Sequence, residues 1–136
     1  MKLRIKGNSL RLRVSRSELE RFLTGERIEE TIHFSSEPGA KLTYALQSAS
    51  NGTMTEVRNS SQEIAVLLSE GHIQEWSGAN QAGVYSSVDI GPEGLLNLIV
   101  EKDFACLDRS DEENQDTFAN PHANENCPKT DDVERR

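Results

Sequence analysis

Met1-Lys2-Leu3-Arg4-Ile5-Lys6-Gly7-Asn8-Ser9-Leu10-Arg11-Leu12-Arg13-Val14-Ser15-Arg16-Ser17-Glu18 opens the chain. Leu3 and Ile5 alternate with Lys2, Arg4 and Lys6, and Leu10, Leu12 and Val14 alternate with Arg11 and Arg13. A period of two is that of a strand with one buried face. Gly7-Asn8 between the runs predicts a two-residue hairpin loop, because both residues tolerate the positive φ of a type I′ turn. That loop sets Ile5 opposite Leu10, Leu3 opposite Leu12, Arg4 opposite Arg11 and Lys2 opposite Arg13. Ser15-x-x-Glu18 predicts a capping box, in which hydroxyl and carboxylate satisfy free amides of a first helical turn. Leu19, Phe22 and Leu23 supply the apolar stripe of that helix, and Gly25 its stop.

Outward from the hairpin, strands are expected at about 28–34 and 41–47, joined by the turn-rich Ser35-Ser36-Glu37-Pro38-Gly39. The order then restarts. Met54–Arg58 and Glu63–Leu68 read as strands, Ser69 as the cap of a short helix carrying Ile73 and Trp76, and Gly83–Val88 and Leu95–Glu101 as two more strands. A shift of 54 residues lays the halves over each other without a gap: Leu10 on Ile64, Leu12 on Val66, Val14 on Leu68, Ser15 on Ser69, Phe22 on Trp76 and Leu42 on Leu96. The expectation is an α+β fold of two pseudo-symmetric ββαββ units, about 1–52 and 53–107, in one strand-rich domain with two short helices. One such unit is too small to bury a core alone. Two can close one between them as a curved sheet, a barrel or two layers. Residues 108–136 lack periodicity and are expected to be an acidic, partly disordered tail.

The 136 residues carry a net charge of −8, unevenly distributed. Residues 1–16 hold six bases and no acid, whereas 108–136 hold nine acids and four bases. A bulk-acidic chain is a poor general nucleic-acid binder, because the phosphate term has the wrong sign. Any anion site must therefore be local. No apolar run approaches the ~20 residues a membrane-spanning helix needs. No signal-peptide core follows the first residues, so the expected location is cytoplasmic with no membrane partner. In a reducing compartment Cys106 and Cys127 remain thiols.

Three constellations could carry chemistry. The first is the cationic face of the hairpin: Lys2, Arg4, Arg11 and Arg13. Like charges directly opposite one another destabilise a strand pair by up to about 1 kcal/mol, so four on one face need compensation. Either internal acids supply it, with Glu29, Glu30, Glu101 and Asp103 on candidate neighbouring strands, or a bound anion does, held by arginine forks. The second is Cys106, His122 and Cys127, donors of the right type for zinc spread over a spacing that fits no compact zinc motif. The third is Glu30, which shares a strand face with Ile28 and Ile32. If buried there, it needs a partner such as Arg4 or Arg13; at a strand edge it meets water. No Gly-rich phosphate loop, Walker motif or nucleophile elbow is present, and no cofactor is expected.

Two stretches carry a resemblance: the opening Met1–Arg13, and Val100-Glu101-Lys102-Asp103-Phe104-Ala105-Cys106-Leu107 followed by Asp116-Thr117-Phe118-Ala119-Asn120-Pro121. With Glu29–Ile32 and Gly83–Tyr85 between them, they resemble a family of small bacterial proteins of unknown function over about the first 121 residues. The resemblance implies no activity, cofactor or catalytic residue. In architecture alone, a duplicated strand-rich domain with alternating bases is also similar to the triphosphate-tunnel hydrolases. The alternating metal-binding glutamates of their first strand are replaced here by Lys2, Arg4 and Lys6, which argues against metal-dependent hydrolysis. The resulting expectation is a non-enzymatic binding protein. Its partner is a small anion or an acidic protein surface at Lys2, Arg4, Arg11 and Arg13. The alternative is a small enzyme acting on phosphorylated or carboxylated metabolites in a cavity between the two halves. Oligomeric state is left open.

Overall fold

A computed structural model describes residues 1–49, 52–78, 80–104 and 116–118. Strands β1 (Lys2–Lys6) and β2 (Ser9–Val14) form the hairpin read from the sequence, with Lys2 opposite Arg13, Leu3 opposite Leu12, Arg4 opposite Arg11 and Ile5 opposite Leu10. Gly7 takes a φ of 56° in the loop but Asn8 stays at negative φ, so the type I′ turn expected from the sequence is corrected: glycine with positive φ at the first loop position alone is the type II′ pattern. Helix α1 (Arg16–Leu23) starts on the predicted box: Ser15 Oγ accepts from the Glu18 amide, and the Ser15 amide donates to Glu18 Oε1 at 2.9 Å. Strands β3 (Ile28–His33), β4 (Lys41–Ser48), β5 (Glu56–Ser60) and β6 (Glu63–Leu68) follow, then α2 (Glu70–Trp76), β7 (Gly83–Asp89) and β8 (Leu95–Lys102). No helix among the described residues is long and apolar enough to cross a membrane.

The eight strands form two separate four-stranded sheets, and there is no closed barrel. The first has the order β1-β2-β8-β7 and the second β3-β4-β6-β5. This corrects the barrel and the single curved sheet expected above: the described strands divide between two separate sheets. In each sheet two antiparallel hairpins join through a parallel central pair, β2 with β8 and β4 with β6. Each half of the chain therefore places one hairpin in each sheet. The gap-free overlay fails at one element: Ile32 and Val88 are the partners of Leu42 and Leu96, so β3 and β7 do not share the offset of their neighbours. The longer connection between β3 and β4 accounts for this.

The inward sheet faces share one apolar core. Leu12, Val14, Ile28, Leu46, Val66, Leu68, Leu98 and Val100 are almost entirely buried, and the helices contribute Leu19, Phe22 and Trp76. Truncating one of these leucines to alanine costs about 2–5 kcal/mol. The Phe22 and Trp76 rings meet at 6.1 Å and 58°, a tilted pair worth about 0.5–1.5 kcal/mol beyond its burial. Trp76 Nε1 is buried with no hydrogen-bond partner among the described residues. Burial falls away from the helices toward the hairpin turns, where Ile5, Ile32, Phe34 and Leu95 are exposed.

Asp116–Phe118 lies against the helical end. Asp116 accepts from the Ser17 amide and hydroxyl and, through its carbonyl, from the Arg16 amide. Phe118 packs on Phe104 with centroids 5.9 Å apart. The nearly buried Lys102 directs Nζ to the Gly78 carbonyl at 3.0 Å and lies 5.6 Å from the Phe118 ring. Burial lowers the pKa of its amine.

Candidate functional site

The pairing registers place twelve residues on the outer face of the first sheet, in three rungs across β1, β2, β8 and β7. One rung is Lys2, Arg13, Glu101, Gly83; the next is Arg4, Arg11, Ile99, Tyr85; the third is Lys6, Ser9, Asn97, Ser87. They share a face because cross-strand partners point to the same side of a sheet. The alternation that buries Leu3, Leu10, Leu12, Leu98 and Val100 turns all twelve outward. The four predicted bases therefore do stand together, and Lys6 joins them.

Among the described residues, two carboxylates reach this face. Glu101 Oε1 accepts from Arg13 Nε at 3.2 Å and lies 3.6 Å from Arg11 Nε, beyond hydrogen-bond geometry for the latter. Its Oε2 accepts from the Tyr85 hydroxyl at 3.3 Å. Asp103, nearly buried at the end of β8, pairs with Lys2 at 3.0 Å. Arg11 Nε is itself buried and has no hydrogen-bond partner among the described residues. Arg4 and Lys6 form no ion pair among the described residues. A cleft of about 180 Å³ is lined by Lys2, Leu3, Arg4, Arg11 and Arg13.

Gly83 makes this packing feasible. A Cβ there would stand 2.9 Å from Glu101 Cγ and 3.0 Å from the Val100 carbonyl. Tyr85 lies alongside, its hydroxyl 3.3 Å from that same point, so the phenol leans over Gly83 toward Glu101. Partial burial, then the Glu101 charge, raises the phenol pKa. On the other side of the ring is a concavity of about 460 Å³ lined by Ser9, Tyr85, Ser87, Asn97 and Ile99 among others.

Glu30 is not part of this arrangement. It sits on β3 in the second sheet, exposed rather than buried, and its partner is the Met1 ammonium, not Arg4 or Arg13. The same ammonium meets Glu18 at 2.6 Å, and Tyr44 donates to the Met1 carbonyl at 3.3 Å. The expectation that Glu29 or Glu30 stands on a strand beside the hairpin is corrected: β8, not β3, is the neighbour of β2. Cys106, His122 and Cys127 lie outside the described residues. Among the described residues no cluster of three or more His, Cys, Asp or Glu could hold a metal.

Sequence reasoning did not single out Tyr85, Gly83, Asn97 and Ile99. Their membership follows from the parallel pairing of β2 with β8, a contact between residues nearly 90 positions apart. The alternation of Val84, Ser86 and Val88 with Tyr85 and Ser87 was the available signal, but it assigns only a face, not a neighbour.

A comparison with curated proteins and with solved structures found no match in either. The family described as "Family of unknown function (DUF7009)" matches residues 1–122, and the chain belongs to that family.

Proposed function

We propose that the protein is a non-enzymatic binding protein that takes an anion, or an acidic partner surface, on the outer face of its first sheet. The observation that carries this reading is Arg11 Nε, a buried donor beside the cleft between Arg4 and Arg13 with no hydrogen-bond partner among the described residues. An unsatisfied buried donor costs about 1–3 kcal/mol, a cost that an anion oxygen in the cleft would remove. Among the described residues, five cations against two carboxylates give the face a local positive charge in a chain of net −8. Screening over about 8–10 Å confines the repulsion of distant acids, so a small anion feels mainly this face.

Isothermal titration of the full chain with inorganic pyrophosphate tests the reading. Arg4→Ala, at an exposed position, should weaken binding about tenfold or more with an unchanged melting temperature. Arg11→Ala should abolish it. If wild type takes up no pyrophosphate, or if Arg4→Ala binds as tightly as wild type, the arginines serve only the fold. No specific observation favours the alternative of an enzyme with a cavity between the two halves: among the described residues, apolar side chains of both sheets and both helices pack together there.

We also read the chain as a duplicated ββαββ unit within residues 1–107, with 108–136 as an appended acidic segment. What supports the duplication is register. Ser9 pairs with Asn97 and Leu10 with Leu98, while their counterparts 54 residues on, Glu63 and Ile64, pair with Thr43 and Tyr44. Lys2 with Arg13 corresponds in the same way to Glu56 with Leu67. Transplanting β5–α2 in place of β1–α1 should give a chain that still folds if the units are equivalent. A chain that fails to fold even when the outward charges are restored counts against it.

A further inference from the structure

Resting on the anion reading above, we infer that the ligand class is a free nucleoside phosphate: phosphate oxygens at Arg4 and Arg11, and the base against Tyr85 over Ile99. The middle rung runs Arg4, Arg11, Ile99, Tyr85. Adjacent strands are about 4.8 Å apart, so Arg11 and Tyr85 stand roughly 10 Å apart on one face, a length that a nucleoside diphosphate covers. Tyr85 is 60% exposed although it is a large aromatic residue on a sheet face. Its hydroxyl is tethered to Glu101, which fixes how the ring leans. The concavity beside it, about 460 Å³, is a wide surface depression in which a base can lie flat on the sheet.

The polar groups on that side are also aimed. Ser87 Oγ donates to Asn97 Oδ1 at 2.9 Å. That bond orients the amide and leaves Nδ2 available to donate, next to Tyr85, to a ring nitrogen or carbonyl oxygen of a base. An acidic peptide would use the arginines but has no need of an aromatic wall beside a fixed amide donor. A nucleic-acid polymer would bring its phosphates over the acidic remainder of a chain of net −8, where they are repelled. A single nucleotide stays within the cationic rungs and the tyrosine.

The test is titration of the full chain with ADP, pyrophosphate and a ten-nucleotide single strand at one ionic strength, in wild type, Arg4→Ala, Tyr85→Ala and Tyr85→Phe. ADP should bind about tenfold or more tighter than pyrophosphate, since stacking on an aromatic is worth about 1–3 kcal/mol per base. Tyr85→Ala should bring ADP down to the level that the same variant shows for pyrophosphate. Tyr85→Phe keeps the ring and should keep ADP within about twofold. Arg4→Ala should weaken both ligands.

Equal affinity for ADP and pyrophosphate, with no effect of Tyr85→Ala, overturns the nucleotide assignment and leaves the anion reading standing. Absence of binding by either ligand overturns both. A loss in Tyr85→Phe as large as in Tyr85→Ala means that Tyr85 acts through Glu101 rather than as a stacking surface, which also overturns the assignment. A single strand that binds more tightly than ADP overturns the choice of a free nucleotide.

Discussion

The two sheets turn their inner faces to the same core but treat their outer faces in opposite ways. On the second sheet, the middle rung is Glu29, Ala45, Ala65, Arg58. Arg27 reaches over it, donating to Glu29 on β3 at 2.7 Å, Gln47 on β4 at 2.6 Å and Glu63 on β6 at 2.9 Å. The guanidinium thereby ties β3, β4 and β6 together, and Ala45 and Ala65 are almost wholly buried with Leu67 and Ala49 in a small second core. On the first sheet, Arg11 and Ile99 hold the places of those two alanines, with Arg4 and Tyr85 at the edges. On the second sheet's face Arg27 is surrounded by acceptors, although Arg58 and Lys41 stand there as well. The other face has, among the described residues, five cations that share two carboxylates. A cation whose donors are met internally, as those of Arg27 are, has no electrostatic reason to take a ligand, whereas clustered, partly desolvated cations do.

The sharpest way to break this comparison is to put the arginine of the open face into the other one. Ala65→Arg forces a long charged side chain into a position with no exposed surface. It should destabilise the protein by at least about 3 kcal/mol, read from the urea midpoint. Arg27→Ala comes next. It leaves Glu29 and Glu63 without their shared cation and Gln47 without its donor, for an expected loss of about 2 kcal/mol. Arg4→Ala on the open face should stay within about 0.5 kcal/mol of wild type in the same assay. Equal losses at Arg27 and Arg4 would erase the distinction between the faces.

Glu101→Gln sharpens the comparison from the other side. It removes a carboxylate that Arg11, Arg13 and Tyr85 all approach. Stability should fall by about 0.5–1.5 kcal/mol, and pyrophosphate should bind more tightly, because a competing anion has gone. Looser binding in the same titration would make Glu101 an organiser of the arginines rather than their competitor.

The smallest effect concerns the point where the edges of the two sheets meet, the Met1 ammonium between Glu18 and Glu30. Burial alone would lower the ammonium pKa, but the hydrogen bonds and charges of the two glutamates outweigh it and raise it above its ordinary 8.0. Burial alone would likewise raise the Glu18 pKa, yet the ammonium and the Ser15 amide bring it below its ordinary 4.5. A raised ammonium pKa contributes stability that is full below about pH 8 and is lost as pH rises through the folded value. A lowered carboxyl pKa contributes stability that is full above about pH 4.5 and is lost as pH falls through its folded value. The urea midpoint should therefore be flat between these limits and decline on both sides. Glu18→Gln should reduce the acid-side decline, to which Asp116, its carboxyl held low by the Ser17 hydroxyl and amide, also contributes.

What was legible in the sequence is what depends on near neighbours. The β1–β2 register, the Ser15–Glu18 box, the strand positions and the outward turn of Lys2, Arg4, Arg11 and Arg13 follow from a period of two and a short loop. The sheet order was not legible, because nothing local tells β2 that its other neighbour is β8. That is why Glu30 was weighed as a partner for the arginines when it belongs to the other sheet, and why Tyr85 went unremarked. Glu101 and Asp103 were legible as candidate compensators by charge alone, and the parallel pairing brings both to the hairpin. Arg27 was missed because its role rests on three acceptors drawn from three strands, of which only Glu29 is close in sequence.

The most direct measurement is an amide ¹H–¹⁵N chemical-shift titration of the full chain with pyrophosphate. The account predicts shifts concentrated on Lys2–Arg13 and on Asn97–Glu101, with β3 to β6 unchanged. Shifts centred on Arg27, Gln47 and Glu63, or none anywhere at millimolar ligand, would contradict it.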